Sequence, residues 1–444
     1  MALFARFRGG VHPPENKGTA AVATQPLPRP ERLVLPLRQH IGAPCKPLVA
    51  AGAQVQAGQP VGDTDAPVAA PIHASLSGKV SAVEPRLSPS GRMEMSVVID
   101  VAPEDEWWPD LPAGLGWGVD PAALEPATLR TRIRQAGLVG LGGAGFPTAV
   151  KLSAEADVVL LNGAECEPVL TSDHRLMLEE PEKVVLGLRL LMQACGAKRG
   201  VIALEANKAD AAAALTRCVK GDPALKVEVL PVRYPQGAEK MLIWGALRRA
   251  VPVGALPIHV GVVVQNVSTA AAVATALAEG RPLTERIVTV AGKVQRPGNF
   301  RAPIGAGFVD LIAAAGGENG SIAKVVAGGP MMGAAQMSLT VPVTKTTGGI
   351  ILLGPEDLTT APETVCIRCG RCVSACPMGL LPAKLAEMAE AGRWEDAEKF
   401  YVAACMECGS CSYACPAHRP LVQQIRLTKS ELAKVKAARQ GGVK

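Results

Sequence analysis

Eight of the twelve cysteines fall between Cys366 and Cys415, in two copies of one pattern. "CIRCGRCVSACP" places Cys366, Cys369, Cys372 and Cys376 before Pro377, and "CMECGSCSYACP" places Cys405, Cys408, Cys411 and Cys415 before Pro416. Both copies read C-x2-C-x2-C-x3-C-P. A [4Fe–4S] cube needs four thiolates arriving from separate directions. Three cysteines at two-residue intervals wrap one corner, and the fourth, before proline, turns away to ligate the other cluster. The expected sets are therefore Cys366, Cys369 and Cys372 with Cys415, and Cys405, Cys408 and Cys411 with Cys376. Gly370 and Gly409 let backbone pass close to inorganic sulfur. Paired C-x2-C motifs can also hold zinc, but the third cysteine and the Cys-Pro ending in both copies oppose that reading. A secreted disulfide scaffold is short and carries its cysteines throughout. Confinement to one block of a 444-residue chain points to metal ligation instead.

The rest of the chain must fold without many aromatic anchors. It has five Trp, three Tyr and six Phe against 46 Gly and 37 Pro, so its cores are built from Ala, Val and Leu between frequent turns. With 48% hydrophobic and 19% charged residues, a disordered or collagen-like chain is excluded. At about 150 residues per domain the length suggests roughly three domains. The pattern itself gives four regions and a tail. Residues 1–115 alternate short β-type runs with Gly-bearing turns, as in barrel-sandwich modules of the biotinyl-lipoyl type. No lysine stands at a hairpin tip, and Lys79 lies inside a strand-like run, which gives it a structural role. Residues 116–285 repeat strand–helix units, the mark of a mainly parallel, Rossmann-like α/β sheet covered on both faces. Ligands bind such sheets at the carboxyl ends of the strands, here the polar turns after Leu161 and Val264. Residues 286–355 read as a β-grasp module of the SLBB-like kind. Residues 356–420 form a helical two-cluster ferredoxin unit, with "PAKLAEMAEAG" and "RWEDAEKFY" between the motifs. Residues 421–444 form a basic tail, with Arg426, Lys429, Lys434, Lys436, Arg439 and Lys444 against Glu431.

Gly140, Gly142 and Gly145 match G-x-G-x-x-G, and Glu165 follows twenty residues later. A dinucleotide fingerprint needs a strand before the loop and a helix after it. Here the helical run "EPATLRTRIRQAG" precedes and Pro147 follows, so the standard Rossmann site is disfavoured. A glycine loop presenting backbone N–H groups to a phosphate needs only close approach and φ freedom, with Lys151 adding a cation. His73, His174 and His259 are each isolated and read as structural. Cys166, beside the first polar turn, reads as a small packing residue. Trp107 and Trp108 read as a surface anchor on the next domain.

"FRGGVHPPENK", "PLRQHIGAPCKP", "APIHASLSGKV", "GLVGLGGAGFPTAVKL", "LNGAECEPVLTSDHRLML", "RYPQGAEKMLI" and the two cysteine motifs together resemble the C subunit of the Rnf ion-translocating electron-transport complex, from about residue 8 to residue 420. The middle of the chain is also similar to the flavin- and NADH-binding subunit of respiratory complex I. That similarity implies flavin mononucleotide (FMN) as cofactor and NAD(H) as substrate. By motif match, Gly140, Gly142, Gly143, Gly145 and Lys151 would hold the FMN phosphate. Asn162, Glu165, Gln265, Asn266 and Thr269 would line the rest of the flavin. Phe146 would stack near the nicotinamide or adenine, with Glu167 and Glu239 nearby. The sequence departs from the complex I pattern at Leu141, where an arginine is usual, at Ala164 for an aspartate, at Cys166 for a serine, and at Ala238 for the first of two adjacent glutamates.

The resemblance implies an oxidoreductase subunit that moves electrons between NADH, FMN and two [4Fe–4S] clusters. Hydride carries two electrons to the flavin, while each cluster takes one. No protein acid or base is needed for that step, so no catalytic residue is expected. The implied partners are membrane-embedded and ferredoxin-like subunits of an Rnf-type complex, and indirectly a soluble ferredoxin or flavodoxin. The net charge of +6 does not announce a nucleic-acid binder. No apolar stretch reaches the 18 or so residues of a membrane span, and the opening lacks a secretory apolar run. Peripheral attachment to the cytoplasmic face of the inner membrane is the expectation. The alternatives are a soluble flavin and iron–sulfur cobalamin reductase of a microcompartment, and an iron–sulfur scaffold without flavin.

Overall fold

A computed structural model describes residues 7–359 and 361–441. The strands Arg32–Pro36, Gly78–Leu87, Met93–Val101 and Gln54–Val55 form one antiparallel sheet, and Lys46–Pro47, Pro60–Asp63 and Ile72–His73 a second. Leu33, Leu35, Val80, Val97 and Ile99 alternate inward and are fully buried, as a two-sheet sandwich requires. This is the expected barrel-sandwich module, and the first strand of its sheets is Arg32–Pro36. Gln25–Pro26 pairs in parallel with Phe300–Arg301 of the β-grasp sheet. The chain before it crosses the α/β domain as a strap. Its Gly- and Pro-rich sequence, "GGVHPPENKG", cannot support a strand of its own, so its backbone finds partners on other domains.

The α/β domain holds a four-stranded parallel sheet in the order Leu225–Leu230, Arg199–Glu205, Val158–Gly163, Val262–Asn266. Three of its strands, Arg199–Glu205, Val158–Gly163 and Val262–Asn266, are buried on both faces. The chain steps outward from Val158–Gly163 through two strands. It then returns to add Val262–Asn266 on the other side. The order reverses between these two strands, and their carboxyl ends, at Asn162 and Asn266, frame the crevice where such sheets bind ligands. Helices Pro181–Cys195 and Val267–Glu279 pack on one face with almost no side chain between them. A Cβ on Gly187 would lie 1.9 Å from the Ala270 carbonyl oxygen.

The β-grasp sheet runs Gln25–Pro26, Gly298–Pro303, Glu285–Gly292, Gly349–Leu353, Lys324–Ala327, Ala334–Gln336, with helix Phe308–Ala314. The cluster unit is helical: Arg371–Ala375, Pro382–Glu390, Trp394–Lys399 and Ser410–Tyr413.

The expected basic tail is not a tail over its described length. Leu421–Gly441 is a helix whose Ile425 and Leu432 are buried with Leu385, Met388 and Ala397 in the core of the cluster unit. Its cations are paired: Arg426 and Lys429 with Glu407, Lys434 with Glu431, Lys436 with Glu398, and Arg439 with Glu395. A charge count along the chain hides acids that neighbouring helices supply. Lys444 lies outside the described residues.

Replacing Gly187 with Val should force the helix pair apart. The expected loss is about 3 kcal/mol, read as a lower unfolding midpoint by scanning calorimetry. An unchanged midpoint would show that the helix contact is not tight.

Candidate functional site

The glycine loop is closed at its neck. Gly140 N–H donates to Phe146 O at 2.9 Å, and Val139 bridges to Pro147. It is also tied to the sheet: Leu141 N–H donates to Thr269 Oγ1 at 3.0 Å, on the first turn of helix Val267–Glu279. Gly142, Gly143 and Ala144 are left exposed, and nothing lies within 4 Å of where a Gly143 Cβ would sit. A side chain at Gly142 would have to displace the Asn266 amide, since its Cβ would lie 2.5 Å from Asn266 Nδ2. Gly145 takes φ +70°, the left-handed region that favours glycine.

Asn266 caps its helix through Ser268 N–H, and its Nδ2 donates to Asp173 Oδ2 at 2.7 Å. Asn162 Nδ2 donates to Gly237 O at 2.8 Å, two residues before Glu239, which pairs with Lys151 at 2.7 Å. The expected residues Gly140, Gly142, Gly143, Gly145, Lys151, Asn162, Glu239, Asn266 and Thr269 thus form one continuous set of contacts around the crevice. Phe146 stands half-exposed at its edge. Gln265 is buried, with Nε2 lacking a partner among the described residues. A spare donor and an open glycine backbone fit a phosphate-bearing, hydrogen-bonding cofactor.

Two expected residues are engaged elsewhere. The Glu165 carboxylate accepts from the N–H groups of Asp173 at 2.7 Å and His174 at 3.2 Å, so it caps helix Ser172–Glu179. Glu167 accepts from Met331 N–H at 3.0 Å and from the Tyr234 hydroxyl at 3.2 Å, and burial pushes its carboxyl above the usual range. Other residues of the site were not singled out from the sequence. Asp173 is half-buried beneath Asn266 and Ser268, and burial with nearby Glu165 pushes it up to about 6. Arg286, from the β-grasp module, donates to Leu141 O at 3.3 Å behind the loop. Its Nε has no partner among the described residues. Lys17 and Tyr234 also reach the site. Nothing in the sequence singled these out, since their contacts are remote in sequence.

Cys376, the fourth cysteine of the first motif, lies with the first three of the second. Cys376, Cys405, Cys408 and Cys411 surround one cavity with Leu380, Val422 and Ile425. Burial pushes Cys411 up to about 12, and the neighbouring Cys405, Cys408 and Cys376 add to it. Cys372 is raised by burial and then by Cys415 and Cys366. Each fourth cysteine therefore lies with the other motif's three. Gly370 and Gly409 take φ of +75° and +78°. Among the described residues no group of His, Cys, Asp or Glu closes on a single ion. The set containing Cys376 is tucked against the α/β domain, with the Tyr234 hydroxyl donating to Cys408 O at 2.7 Å. Cys366 and Cys369 of the other set are exposed.

An α/β switch-point crevice with a glycine cradle, joined to a helical unit with two crossed thiol sets, defines an electron-transfer protein of the flavin and iron–sulfur class. Family models match along the chain: an RnfC barrel-sandwich hybrid domain at residues 5–104, a Nuo51 FMN-binding domain at 133–275, an SLBB domain at 287–335 and a 4Fe-4S dicluster domain at 360–417. The chain is 46% identical to the C subunit of the Na(+)-translocating ferredoxin:NAD(+) oxidoreductase complex of Acetobacterium woodii, over 96% of this chain and 97% of that one. It is 43% identical to the proton-translocating counterpart of Clostridium ljungdahlii, over 97% and 94%. It is 41% identical to the C subunit of the ion-translocating oxidoreductase complex of Rhodobacter capsulatus, over 96% and 83%. The chain belongs to the RnfC family. A crystal structure of an NAD+-reducing [NiFe]-hydrogenase in the air-oxidized state shares the fold, with a TM-score of 0.50 at 21% identity over 70% of this chain and 66% of that one.

Gly143→Val should leave the fold and both clusters intact, since no protein atom opposes the new side chain, while FMN is lost from the cradle. Full FMN occupancy by absorbance in the variant would show that this loop does not hold the phosphate.

Proposed function

We propose that this chain is the NAD(H)-linked electron-transfer subunit of a membrane-bound complex that couples NAD and ferredoxin redox to ion transport. The carrying observation is the pairing, in one chain, of the glycine-loop crevice with a cysteine set packed against the same domain. Bound FMN supplies the exchange between a two-electron hydride and single electrons. The protein's own residues bind and orient. Backbone N–H groups of Gly142 and Gly143, with Lys151, face the phosphate, Gly140 and Gly145 shape the loop that presents them, and Asn162, Gln265, Asn266 and Thr269 line the flavin. Phe146 and Glu239 stand where the nicotinamide nucleotide enters. Glu165 and Glu167 act from behind, one as a helix cap and one as a link to Met331 and Tyr234. Cys366, Cys369, Cys372 and Cys415 ligate one cluster, and Cys405, Cys408, Cys411 and Cys376 the other.

Among the described residues no helix is long and apolar enough to cross a membrane. Attachment to the cytoplasmic face therefore runs through protein contacts, because the cations of the last helix are already paired. Val365, Ile367 and Val373 expose apolar surface around the outward-facing cysteines, which suits a partner protein that holds the next redox centre.

Three outcomes are expected. Anaerobically purified protein should show a flavin band and NADH-dependent bleaching near the iron–sulfur shoulder. Clusters with no flavin and no response to NADH would instead support the scaffold. Cys415→Ser should abolish the EPR signal of the cluster of Cys366, Cys369 and Cys372 and lower iron by about half; loss of the other signal would overturn the crossed assignment. Truncation after Gln424 should destabilise the cluster unit itself, measured as iron loss, since it removes Ile425 and Leu432 from the core. Intact clusters in the truncated protein would show that the helix is dispensable.

A further inference from the structure

The segment "GGVHPPENKG" has no part in the chemistry described so far, yet it touches both redox sites. At one end, Gly10 N–H donates to Ala375 O at 2.8 Å. A Cβ on Gly9 would lie 2.6 Å from the carbonyl oxygen of Cys376, and Gly9 takes φ +75°. Two residues on, Val11 and Tyr234 exchange backbone hydrogen bonds at 2.8 and 3.1 Å. Tyr234 in turn donates to the carbonyl of Cys408. Cys376 and Cys408 belong to the same thiol set. At the other end, the Lys17 ammonium donates to three carbonyls of the turn after Val158–Gly163: Glu165 O at 2.8 Å, Glu167 O at 2.8 Å and Leu170 O at 2.5 Å. An ammonium has three donors, and all are used, as burial requires. The turn needs this support. Glu165 at φ +42° and Val169 at φ +74° occupy left-handed conformations that cost energy without glycine, above all for a β-branched residue. Val169 N–H is held by Glu15 O at 2.8 Å, again from the strap.

We propose that the strap Gly9–Lys17 is a positioning element that fixes the flavin-side turn against the cluster of Cys376, Cys405, Cys408 and Cys411, making that cluster the flavin's first electron acceptor. This rests on the function proposed above. The strap spans the gap as one extended piece, clamped to the cluster unit by backbone contact that excludes any side chain at Gly9, and to the turn by a half-buried cation whose three donors are all used. The other cluster, with Cys366 and Cys369 exposed, then stands outward toward a partner.

The test uses the full chain with its cofactors. In the wild type, the EPR relaxation of the flavin radical should be enhanced by the reduced neighbouring cluster. Gly9→Val should keep FMN and iron but weaken that enhancement. NADH should reduce the flavin at an unchanged rate, while electron transfer onward slows severalfold as the separation of the two centres grows. Lys17→Met removes only the three donors and guards against a misfolded Gly9 variant. It should lower FMN occupancy with both cluster signals kept, and Lys17→Arg should restore part of it. Wild-type relaxation, transfer rate and FMN content in Gly9→Val and Lys17→Met would overturn the strap's role alone. A wild-type protein with clusters but no flavin would overturn the functional reading, and the inference with it.

Discussion

Parallel strands end together, and the turns that follow them must satisfy their backbone at a single edge. Nearly all of the chemistry of this chain is built on that edge. Asn162 and Asn266 terminate the two strands between which the order reverses, and each uses its side chain to fix the next turn. The glycine loop is brought to the same edge by Thr269, and Arg286 holds it from behind. The cluster unit then docks where the turn after Leu230 carries Tyr234. A sheet of four short strands thereby serves as a common reference frame for a cofactor cradle and a redox centre that have no secondary structure in common.

The crossing of the two cysteine motifs imposes a second constraint. A cube that takes its fourth thiolate from the other motif needs the helices between them and the closing helix Leu421–Gly441 to hold the two motifs together. The two sets differ sharply in surroundings. Cys408 and Cys411 are buried beside the α/β domain, while Cys366 and Cys369 stand in solvent. Burial and solvent exposure are among the levers that set cluster potentials. One fold with duplicated ligands therefore yields two unlike sites, an inner one facing the flavin domain and an outer one facing a partner.

Local features of this structure were legible in the sequence, and contacts between remote segments were not. The cysteine spacing implied crossed ligation because the rule operates within twelve residues and is then applied twice. The four parallel strands were visible as Val- and Leu-rich runs between helical periods. The glycine loop was recognised as a cradle outside a standard Rossmann context, and its neck contact at Phe146 explains why: the loop closes on itself instead of leading straight from a strand. The strap was hidden because Gly- and Pro-rich chain carries no periodicity, and its partners at Ala375 and Tyr234 lie hundreds of residues away. Glu165, which the similarity to complex I placed beside the flavin, also has its carboxylate engaged as a cap by the helix that follows it, a contact its spacing from the glycines does not reveal. The basic stretch at the end looked free because the acids at Glu395, Glu398 and Glu407 belong to other elements.

The departures from the complex I pattern also acquire a physical account. At the glycine loop Leu141, in place of an arginine, is 3% exposed, its side chain part of the core and its N–H bound to Thr269. A guanidinium is nevertheless present, because Arg286 reaches the same loop from the β-grasp module and donates to the Leu141 carbonyl. Charge is supplied from behind the loop rather than from its tip. At the turn after Val158–Gly163, Ala164 is fully buried. Its Cβ and the Cys166 Sγ lie 3.5 and 3.2 Å from where a Gly237 Cβ would be. Cys166 Sγ also accepts from Gly237 N–H at 3.2 Å. An aspartate at 164 would bring a further carboxylate to a place where Glu167 and Glu205 are already pushed up by burial. Small, uncharged residues let this turn pack directly on the Gly237 backbone, and the cation that steadies it comes from Lys17 in the strap. The altered residues thus belong to a site whose charges have been moved onto neighbouring domains, which ties the flavin crevice to the strap and the β-grasp module more closely than its own domain boundary suggests.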